Sequence, residues 1–528
     1  MVPRGGEWIG FVTLTAVSVT SNNPAMLARV LSATLVGVEA ALVRVEVDVT
    51  SGLPAFTTVG LPDSAVRESR ERVRTAIRNA GFAFPPDRIT VNLAPAGLRK
   101  EGTSFDLPIA LGILSATGYV KPGAVRSMAV VGELALDGHI HAVRGALAVA
   151  LSCRRRGAAS LLVPVANAPE AAAVEGVRIL AATTLREAVA VLNGEAPSAW
   201  TTAAECLPAE LDEDFSDVRG QAHAKRALEI AAAGAHNVLL IGPPGVGKTM
   251  LARRLASILP PLTPDETIEV SAIWSVSGLL SGASLVRARP FRAPHHTISL
   301  AGLVGGGSPP HPGEVTFAHR GVLFLDELPE FHQHVLESLR QPLEDGRVTV
   351  TRVAGIADFP ARFQLVGAAN PCRRGCPSLD RCVCTPGERH RYLGRLSRPL
   401  LDRLDLHVEL PSLHHADICA AGPEESSASV RARVLRARER QRARFMGTPL
   451  RVNADMAPRH LRRLCPAPPE AERLLEAAMN RLSLSARGHD RVLKVARTIA
   501  DLEGTEDIRA AHCAEAIQYR GLDRQWRG

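Results

Sequence analysis

A glycine-rich turn that leads into a lysine and a threonine, GPPGVGKT at positions 242–249, has the spacing of a phosphate-binding loop. NVLL before it predicts a strand and TMLARRLASIL after it predicts a helix, which is the context that this motif requires. The turn lets backbone N–H groups surround phosphate oxygens at the positive end of the helix. We expect Lys248 to reach the β- and γ-phosphates of ATP and Thr249 to ligate Mg²⁺. The residues expected to bind ATP are Gly242, Pro243, Pro244, Gly245, Val246, Gly247, Lys248 and Thr249.

Two acidic residues follow an apolar run in GVLFLDE at positions 321–327. The run predicts a buried parallel strand, and two carboxylates at its end would be costly without a cation to face. Asp326 can hold the water shell of Mg²⁺, and Glu327 can polarise the attacking water. A third strand, FQLVGAAN, ends in Asn370, where ring ATPases use an amide to orient the water beside the γ-phosphate. Together these residues predict a site for magnesium-dependent ATP hydrolysis.

Two arginines that are far from these motifs in the sequence are candidates to contact the phosphates. Arg403 lies between Asp402 and Asp405, a spacing that fits either a surface salt bridge or a finger reaching the γ-phosphate of a neighbouring subunit. Such fingers can raise the rate about 10³- to 10⁵-fold. Arg487 lies near a predicted helix start, where it could touch the phosphates, and Arg491 one turn later is the competing candidate.

Four of the nine cysteines fall within the thirteen residues CRRGCPSLDRCVC. Their spacing, C-x₃-C-x₅-C-x-C, differs from the C-x₂-C pairs of common zinc fingers. The other five cysteines are scattered singly, which suits a reducing cytosol better than disulfides. We expect a structural Zn²⁺ bound by four thiolates; an Fe–S cluster and plain thiols are the alternatives. The expected ligands are Cys372, Cys376, Cys382 and Cys384.

The composition describes a multidomain protein without a membrane span. The chain has 528 residues, 46% of them apolar, which predicts two to four domains. No run reaches the roughly 18 apolar residues that cross a bilayer, and the first 25 residues lack a secretory signal. We therefore expect a cytoplasmic protein. The net charge of +8 indicates a polyanionic partner or reflects only a GC-rich genome.

Pattern changes along the chain predict an α/β protein with a helical C-terminal end. The strand pattern begins just after Met26, so the segment before it is expected to be untranslated or disordered. The predicted organisation is a leader at 1–25, an α/β domain at 26–193, a Pro/Ala/Thr-rich linker at 194–211, an α/β core at 212–410 and a helical domain at 411–528.

Nearly the whole chain from Met26 resembles the Mg-chelatase-like AAA+ ATPases of the ComM (YifB) type. The resemblance is carried by GLPDSAVRESRERVRTAIRNAG, RPFRAPHHTISLAGLVGGGS, GVLFLDELPEF, LRQPLEDGRV and LSRPLLDRLDLHVEL, among other stretches. It implies a homo-hexameric ring that moves on single-stranded or branched DNA and drives branch migration in homologous recombination and natural transformation, alongside recombination proteins. It also supports Arg403 as the finger and Arg487 as an arginine of a C-terminal lid.

Insertions distinguish this family from ordinary ring ATPases. DGRVTVTRVAGIADFPARF at 345–363 predicts a β-hairpin, and related MCM helicases direct hairpins of this kind into the central pore. Arg347 and Arg352 are then candidate phosphate contacts, unless the hairpin packs subunits together. His295 and His296 are expected to be structural rather than metal ligands. The arginine-rich run at 431–444 predicts either a solvated linker helix or one that faces DNA.

The N-terminal segment RKEGTSFDLPIAL resembles the nucleophile segment of Lon proteases, with Ser104 at the serine position. A Ser–Lys enzyme also needs a lysine that accepts the hydroxyl proton, and the matching later position is Leu147. Lys100 and Lys121 are the nearest lysines in sequence. We therefore expect a Lon-like fold without peptidase activity. The alternative functions are a motor subunit of magnesium chelatase that remodels a partner protein, and an ATP-dependent Lon-like peptidase.

Overall fold

The structure is a computed structural model of the chain. The predicted leader at 1–25 and most of the predicted linker at 194–211 lie outside the residues that it describes, so both stay predictions. The described residues are 27–121, 123–125, 128–196, 200, 213–280, 285–308, 310–352, 355–376, 382–412, 424–482 and 484–521.

Strands and helices alternate in the N-terminal part of the chain. The stretch VRVEVDV buries Val43, Val45 and Val47, while the residues between them are not buried, because successive side chains of a strand face opposite sides. The elements are β1 (Ala28–Val36), β2 (Glu39–Thr50), β3 (Ala55–Val59), α1 (Ser64–Asn79), β4 (Arg88–Ala94), α2 (Asp106–Ala116), β5 (Met128–Val130), β6 (Glu133–Leu134), β7 (Ile140–His141), α3 (Ala146–Arg156), β8 (Ser160–Pro164), α4 (Ala168–Ala171), β9 (Arg178–Ala182) and α5 (Leu185–Asn193).

The remaining elements form the predicted α/β core and the helical end. They are α6 (Ala222–Gly234), β10 (Val238–Ile241), α7 (Lys248–Ile258), α8 (Pro264–Val276), β11 (Phe291–Arg292), α9 (Leu300–Val304), β12 (Gly305–Gly306), β13 (His311–Pro312), α10 (Glu314–Phe317), β14 (Val322–Leu325), α11 (Gln333–Ser338), α12 (Arg340–Asp345), β15 (Arg347–Arg352), β16 (Gly355–Pro360), β17 (Gln364–Ala369), α13 (Pro386–Leu393), α14 (Arg398–Leu401), β18 (Leu406–Glu409), α15 (Ser427–Arg444), α16 (Pro458–Leu464), α17 (Pro469–Leu482), α18 (Ala486–Glu503) and α19 (Ala510–Gln518).

The chain folds into two compact units. The first is built mainly from Val43–Ile140, where β3 pairs in parallel with β4 and β2 pairs antiparallel with β4. The second takes in His141–Ala182 and the described residues after 199. The mixed α/β character is confirmed. The domain boundaries and the likeness of the N-terminal domain to Lon stay predictions.

A five-stranded sheet organises the second unit, in the order β11-β14-β17-β10-β18. All its pairings are parallel. Its central strands β10, β14 and β17 are buried along their whole length, as expected for a parallel sheet covered on both faces. Because parallel strands end at the same edge, the residues that follow β10, β14 and β17 meet there.

The C-terminal helices share their apolar core with this sheet. Leu240 of β10, Val434 of α15 and Val492 of α18 belong to one buried cluster. The helical domain predicted at 411–528 contains the helices α17 and α18. Among the described residues, no helix combines the length and apolar character needed to span a bilayer.

Candidate active site

The turn between β10 and α7 has the backbone of a phosphate-binding loop. Gly245 and Gly247 have φ angles of 81° and 89°, in the left-handed region that only glycine adopts without strain. Gly247 caps α7, which begins at Lys248. Gln221 donates from Nε2 to the backbone oxygen of Val246 at 2.7 Å and so fixes the turn from outside. The sequence analysis missed Gln221, because it stands far from the motif in sequence.

Lys248 connects the loop to the strand that ends in Asn370. Its Nζ donates to the backbone oxygens of Gly242 (2.7 Å) and Pro243 (2.9 Å) and to Asn370 Oδ1 (2.9 Å). Burial lowers the pKa of Lys248, and the carboxylates of Asp326 and Glu327 oppose that shift. The structure therefore brings the lysine, the amide and both acids predicted from separate motifs into one site.

Thr249 and Asp326 form the pair expected to hold Mg²⁺. The Thr249 hydroxyl donates to Asp326 Oδ2 at 2.8 Å, and the backbone N–H of Glu327 donates to Asp326 Oδ1 at 2.9 Å. A hydroxyl and a carboxylate that already touch are hard oxygen ligands, which Mg²⁺ prefers. The donor set thus fits the predicted ion.

Glu327 lies where it could act on water, and a histidine is next to it. Its φ of 52° is in the left-handed region, a strained conformation that is found at active sites. His296 Nδ1 is 3.5 Å from Glu327 Oε2. The His296 ring also packs against His295 and Phe331, with ring centroids 4.1 and 6.4 Å away. Among the described residues neither histidine belongs to a group that could hold a metal ion, but His296 is part of the site.

Arg403 is buried and ion-paired, though not with the acids that flank it in sequence. Nη2 donates to Glu344 and Nη1 donates to the backbone oxygen of Pro399 at 2.6 Å, while Nε is buried without a partner. Asp405 instead pairs with Arg491. The surface salt bridge with a flanking acid is therefore not what the structure shows. The finger role is not tested by a single chain.

The two lid arginines differ in how they are held. Arg491 is bound to Asp405, whereas the Arg487 side chain is exposed in the first turn of α18. Burial lowers the pKa of Arg403, and the charges of Arg340, Arg487 and Arg491 lower it further against Glu344. The charge of the exposed Arg487 therefore acts on the buried Arg403.

The four cysteines predicted to bind Zn²⁺ converge on one point. Their Sγ atoms all lie within 4.8 Å of one another, and none forms a disulfide. Burial raises the pKa of the Cys372 thiol, but hydrogen bonds from the other cysteines outweigh it and bring its pKa down to about 7. Four sulfurs at this separation, one ionised near neutral pH, fit a tetrahedral site for a thiophilic metal. The cysteines are Cys372, Cys376, Cys382 and Cys384.

The predicted hairpin is formed by β15 and β16, which pair antiparallel from Arg347 with Pro360 to Arg352 with Gly355. One face, with Val350 and Phe359, is buried in the core. Arg347 and Arg352 are exposed. The structure therefore presents both candidate DNA contacts to solvent.

The arginine-rich helix α15 is mostly bound to the rest of the chain. Arg436 and Arg442 are exposed and have no hydrogen bond or ion pair to any described residue. The other five bind internal groups, which favours the linker-helix interpretation over the DNA-facing one. These contacts are Arg431 to Ser257 O, Arg433 to Glu229 and Glu425, Arg438 to Ala232 O, Arg440 to Asp501 O and Arg444 to the Asp501 carboxylate.

Ser104 has no lysine partner among the residues that the structure describes. Lys100 is fully buried, and its Nζ donates to the backbone oxygens of Gly60 (2.9 Å) and Pro95. Lys121 Nζ donates to the backbone oxygen of Asn193 at 2.6 Å. No hydrogen bond joins Ser104 to a lysine among the described residues, and Leu147 is buried. The arrangement lacks the base that a Ser–Lys peptidase needs.

Comparison with known families matches three parts of the chain. The family described as "Magnesium chelatase, subunit ChlI" matches residues 214–418, "Subunit ChlI of Mg-chelatase" matches 45–167, and "Magnesium chelatase, subunit ChlI C-terminal" matches 424–520. The match at 214–418 contains the phosphate-binding loop, both acids, Asn370 and Arg403.

Known proteins similar to the chain cover almost its full length. The competence protein ComM of Haemophilus influenzae is 44% identical over 94% of this chain and 98% of its own. The protein YifB of Escherichia coli is 44% identical over 92% of this chain and 96% of its own. The 38 kDa magnesium-chelatase subunit of Rhodobacter capsulatus is 29% identical over 38% of this chain and 56% of its own. The resemblance seen in the sequence is confirmed: the chain belongs to the ComM and YifB family of Mg-chelatase-like AAA+ ATPases.

Proposed function

We propose that this chain is a magnesium-dependent ATPase that works as a DNA translocase or helicase and drives branch migration. The observation that carries the proposal is one chain that joins a hydrolytic site, at the edge of the parallel sheet, to an exposed basic hairpin. The full-length likeness to a protein named for competence supports DNA as the partner. In this role the protein serves recombination and natural transformation in the cytoplasm.

Each residue of the site has a defined task in this proposal. Bound ATP and Mg²⁺ supply the phosphoryl group and the positive charge that stabilises its transfer. Lys248 holds phosphate oxygens, Thr249 and Asp326 hold the ion, and Asn370 orients the attacking water. Glu327 accepts the proton of that water. In this proposal Arg403 supplies the arginine finger from a neighbouring subunit of a hexamer.

We further propose that the four-cysteine cluster holds one structural Zn²⁺. With four protein ligands no coordination position remains open for catalysis. Among the described residues the apolar cluster of this loop consists of the four cysteines alone. A bound zinc ion would then replace the missing hydrophobic core.

The proposed DNA translocase activity is tested by comparing DNA substrates of different structure. The rate of ATP hydrolysis should rise when DNA is added, and strands should be displaced faster from forked and three-stranded substrates than from plain duplex. ATP hydrolysis that ignores DNA, together with no strand displacement on any substrate, would exclude the translocase.

A chelatase motor is the second candidate, because matches to chelatase subunit families cover most of the described chain. The DNA translocase is favoured over the chelatase motor, since the chelatase subunit aligns with 38% of this chain and the competence protein with 94%. If a porphyrin-metallating partner stimulates ATP hydrolysis and DNA does not, the chelatase motor would be favoured over the translocase. A Lon-like peptidase is disfavoured by the missing base, and peptide cleavage lost in Ser104→Ala would restore it.

A further inference from the structure

The loop from Cys372 to Cys384, here called the cysteine loop, contacts the phosphate-binding loop through Gly375. Gly375, between the first two cysteines, has a φ of 66°. A Cβ added at Gly375 would lie 2.7 Å from Pro244 Cγ and 2.9 Å from Pro244 Cδ. Real Cβ atoms essentially never approach other heavy atoms so closely, so only glycine permits this contact. The backbone of one loop therefore supports a proline of the other.

The same loop is tied to Asn370 at both ends. Cys372 follows Asn370 by two residues, and Asn370 Oδ1 accepts from Lys248 Nζ. At its other end the loop leads into α13, whose Tyr392 is buried; burial raises the pKa of Tyr392, and the nearby backbone of Asn370 opposes that shift. A change in the shape of the cysteine loop would therefore move Asn370 and, through it, Lys248.

Little besides the cysteines can hold that shape. Among the described residues of the loop, Val383 is 76% exposed and packs on nothing that would order the chain. Arg374 bonds Glu388 at 3.2 Å on the surface, where an ion pair contributes little. Three of the four cysteines are buried and their sulfurs converge, so a metal ion that joins them would decide whether the loop keeps its form.

We propose that the metal ion held by the four cysteines keeps Pro244 and Asn370 in the geometry that binds ATP, so that metal and nucleotide bind cooperatively. The inference rests on the proposed zinc site and on the ATP site. Because coupling between two sites is reciprocal, the factor by which metal tightens nucleotide binding must equal the factor by which nucleotide tightens metal binding.

The coupling can be measured as two binding constants. A fluorescent ATP analogue with Mg²⁺ is titrated into zinc-loaded protein, into protein stripped by a chelator, and into stripped protein to which zinc is restored. We expect the dissociation constant to rise about 5- to 150-fold on stripping, the usual range of coupling, and to return with zinc. Equal affinity in all three samples, with one zinc bound per chain, would overturn the coupling but leave the zinc site intact.

The reverse titration distinguishes failure of the coupling from failure of the proposed zinc site or of the proposed ATPase function. Zinc is titrated into stripped protein with and without the nucleotide, and its affinity should rise by the same factor. A protein that binds no zinc overturns the inference and the zinc site together. A protein that binds zinc but never binds the nucleotide overturns the inference and the ATPase assignment.

Gly375→Ala tests the contact itself without touching a cysteine. The added methyl group should displace Pro244, so the variant should still carry one zinc per chain but bind the nucleotide several-fold more weakly. Gly447→Ala is the matched control, because Gly447 has a similar φ of 75° but a Cβ there meets no atom within 4 Å, and it should bind both ligands as the parent does. Circular dichroism checks that both variants are folded. A Gly375→Ala protein with the parent's nucleotide affinity would show that the contact does not carry the coupling.

Discussion

Lys248 makes three hydrogen bonds inside the chain, to two backbone oxygens of its own loop and to Asn370. An ammonium group has three hydrogens to donate, so all of them are used. A phosphate oxygen could replace one of these three acceptors. Lys248 would then bind it without first changing position, because its side chain is already buried and held in the loop. The residue is thus organised for nucleotide before nucleotide binds.

The first prediction separates binding from hydrolysis at this site. Lys248→Ala should bind ATP at least about tenfold more weakly, since it removes a charge-assisted contact. Glu327→Gln should bind ATP normally but hydrolyse it at least about 100-fold more slowly, because a general base contributes about 10²- to 10⁴-fold. Nucleotide titration and steady-state hydrolysis measure the two effects. A Glu327→Gln protein with normal turnover would contradict the assignment of Glu327 as the base.

A second prediction concerns Asp405, which is buried and paired with Arg491. Burial alone would raise the pKa of Asp405, but Arg491 and His236 hold it well below its ordinary value. Breaking a buried pair costs about 3–5 kcal/mol, so Asp405→Asn should lower the free energy of unfolding by about that amount. Because the folded pKa is depressed, this contribution is fully present above about pH 4 and is lost only as the pH falls further.

Urea unfolding of the parent and the variant at several pH values measures this difference. Asp402→Asn is the matched control, since Asp402 has no ion pair to any described residue. A difference between parent and Asp405→Asn that already narrows between pH 7 and pH 5 would contradict a depressed pKa.

At the scale of elements, the hairpin β15–β16 combines a buried face with exposed arginines. Val350 and Phe359 anchor it in the core, and the register from Arg347 with Pro360 to Arg352 with Gly355 fixes which residues point outward. A one-residue slip would exchange the two faces. The hairpin is therefore a stable support on which the position of a basic side chain is well defined.

The third prediction is that replacing Arg347 and Arg352 by alanine weakens DNA binding. Each lost phosphate contact should flatten the slope of log affinity against log salt by about 0.7 to 0.9. Fluorescence anisotropy with a labelled single strand at several salt concentrations measures this slope. Arg436→Ala with Arg442→Ala removes the same charge from α15 and should change the slope less. An equal effect of both pairs would argue against a specific role for the hairpin.

At the scale of the whole molecule, the predicted finger role of Arg403 involves a second copy of the chain. Arg403 is bound to Glu344 and is affected by the charge of Arg487, and neither arginine bonds the phosphate-binding loop of its own chain among the described residues. Arg403 is buried and ion-paired within its own chain, so a role in a neighbouring site requires it to leave Glu344. The proposed hexamer would place Arg403 against the next ATP site.

The fourth prediction tests this action between subunits. Arg403→Ala and Lys248→Ala should each lose at least about 10³-fold in hydrolysis, the lower range for an arginine finger. Mixed rings should regain activity, because some interfaces combine an intact lysine with an intact arginine. Size-exclusion chromatography with light scattering verifies that mixed rings form and that Arg403→Ala is folded. Mixed rings without any recovered hydrolysis would contradict the trans role.

Three local features could be predicted from the amino-acid sequence: the strand–turn–helix around Lys248, the acidic strand end at Asp326 and Glu327, and the hairpin. These are local: φ preferences of glycine, apolar runs and spacing within a few residues specify them. The sequence also identified the family, which full-length similarity confirmed. Of the fold, the α/β character and the C-terminal helices were predictable for the same reason.

The distant residues that complete these motifs could be identified only from the folded chain. Arg403 pairs with Glu344, 59 residues away, rather than with an adjacent acid. His296 reaches Glu327, and Gly375 supports Pro244, from segments whose sequences carry no sign of it. Most arginines of α15 turned out to bind internal groups. Such contacts depend on the order of strands in the sheet and on packing between elements. Sequence spacing alone does not distinguish the possible partners, whereas burial and charge in the folded chain do.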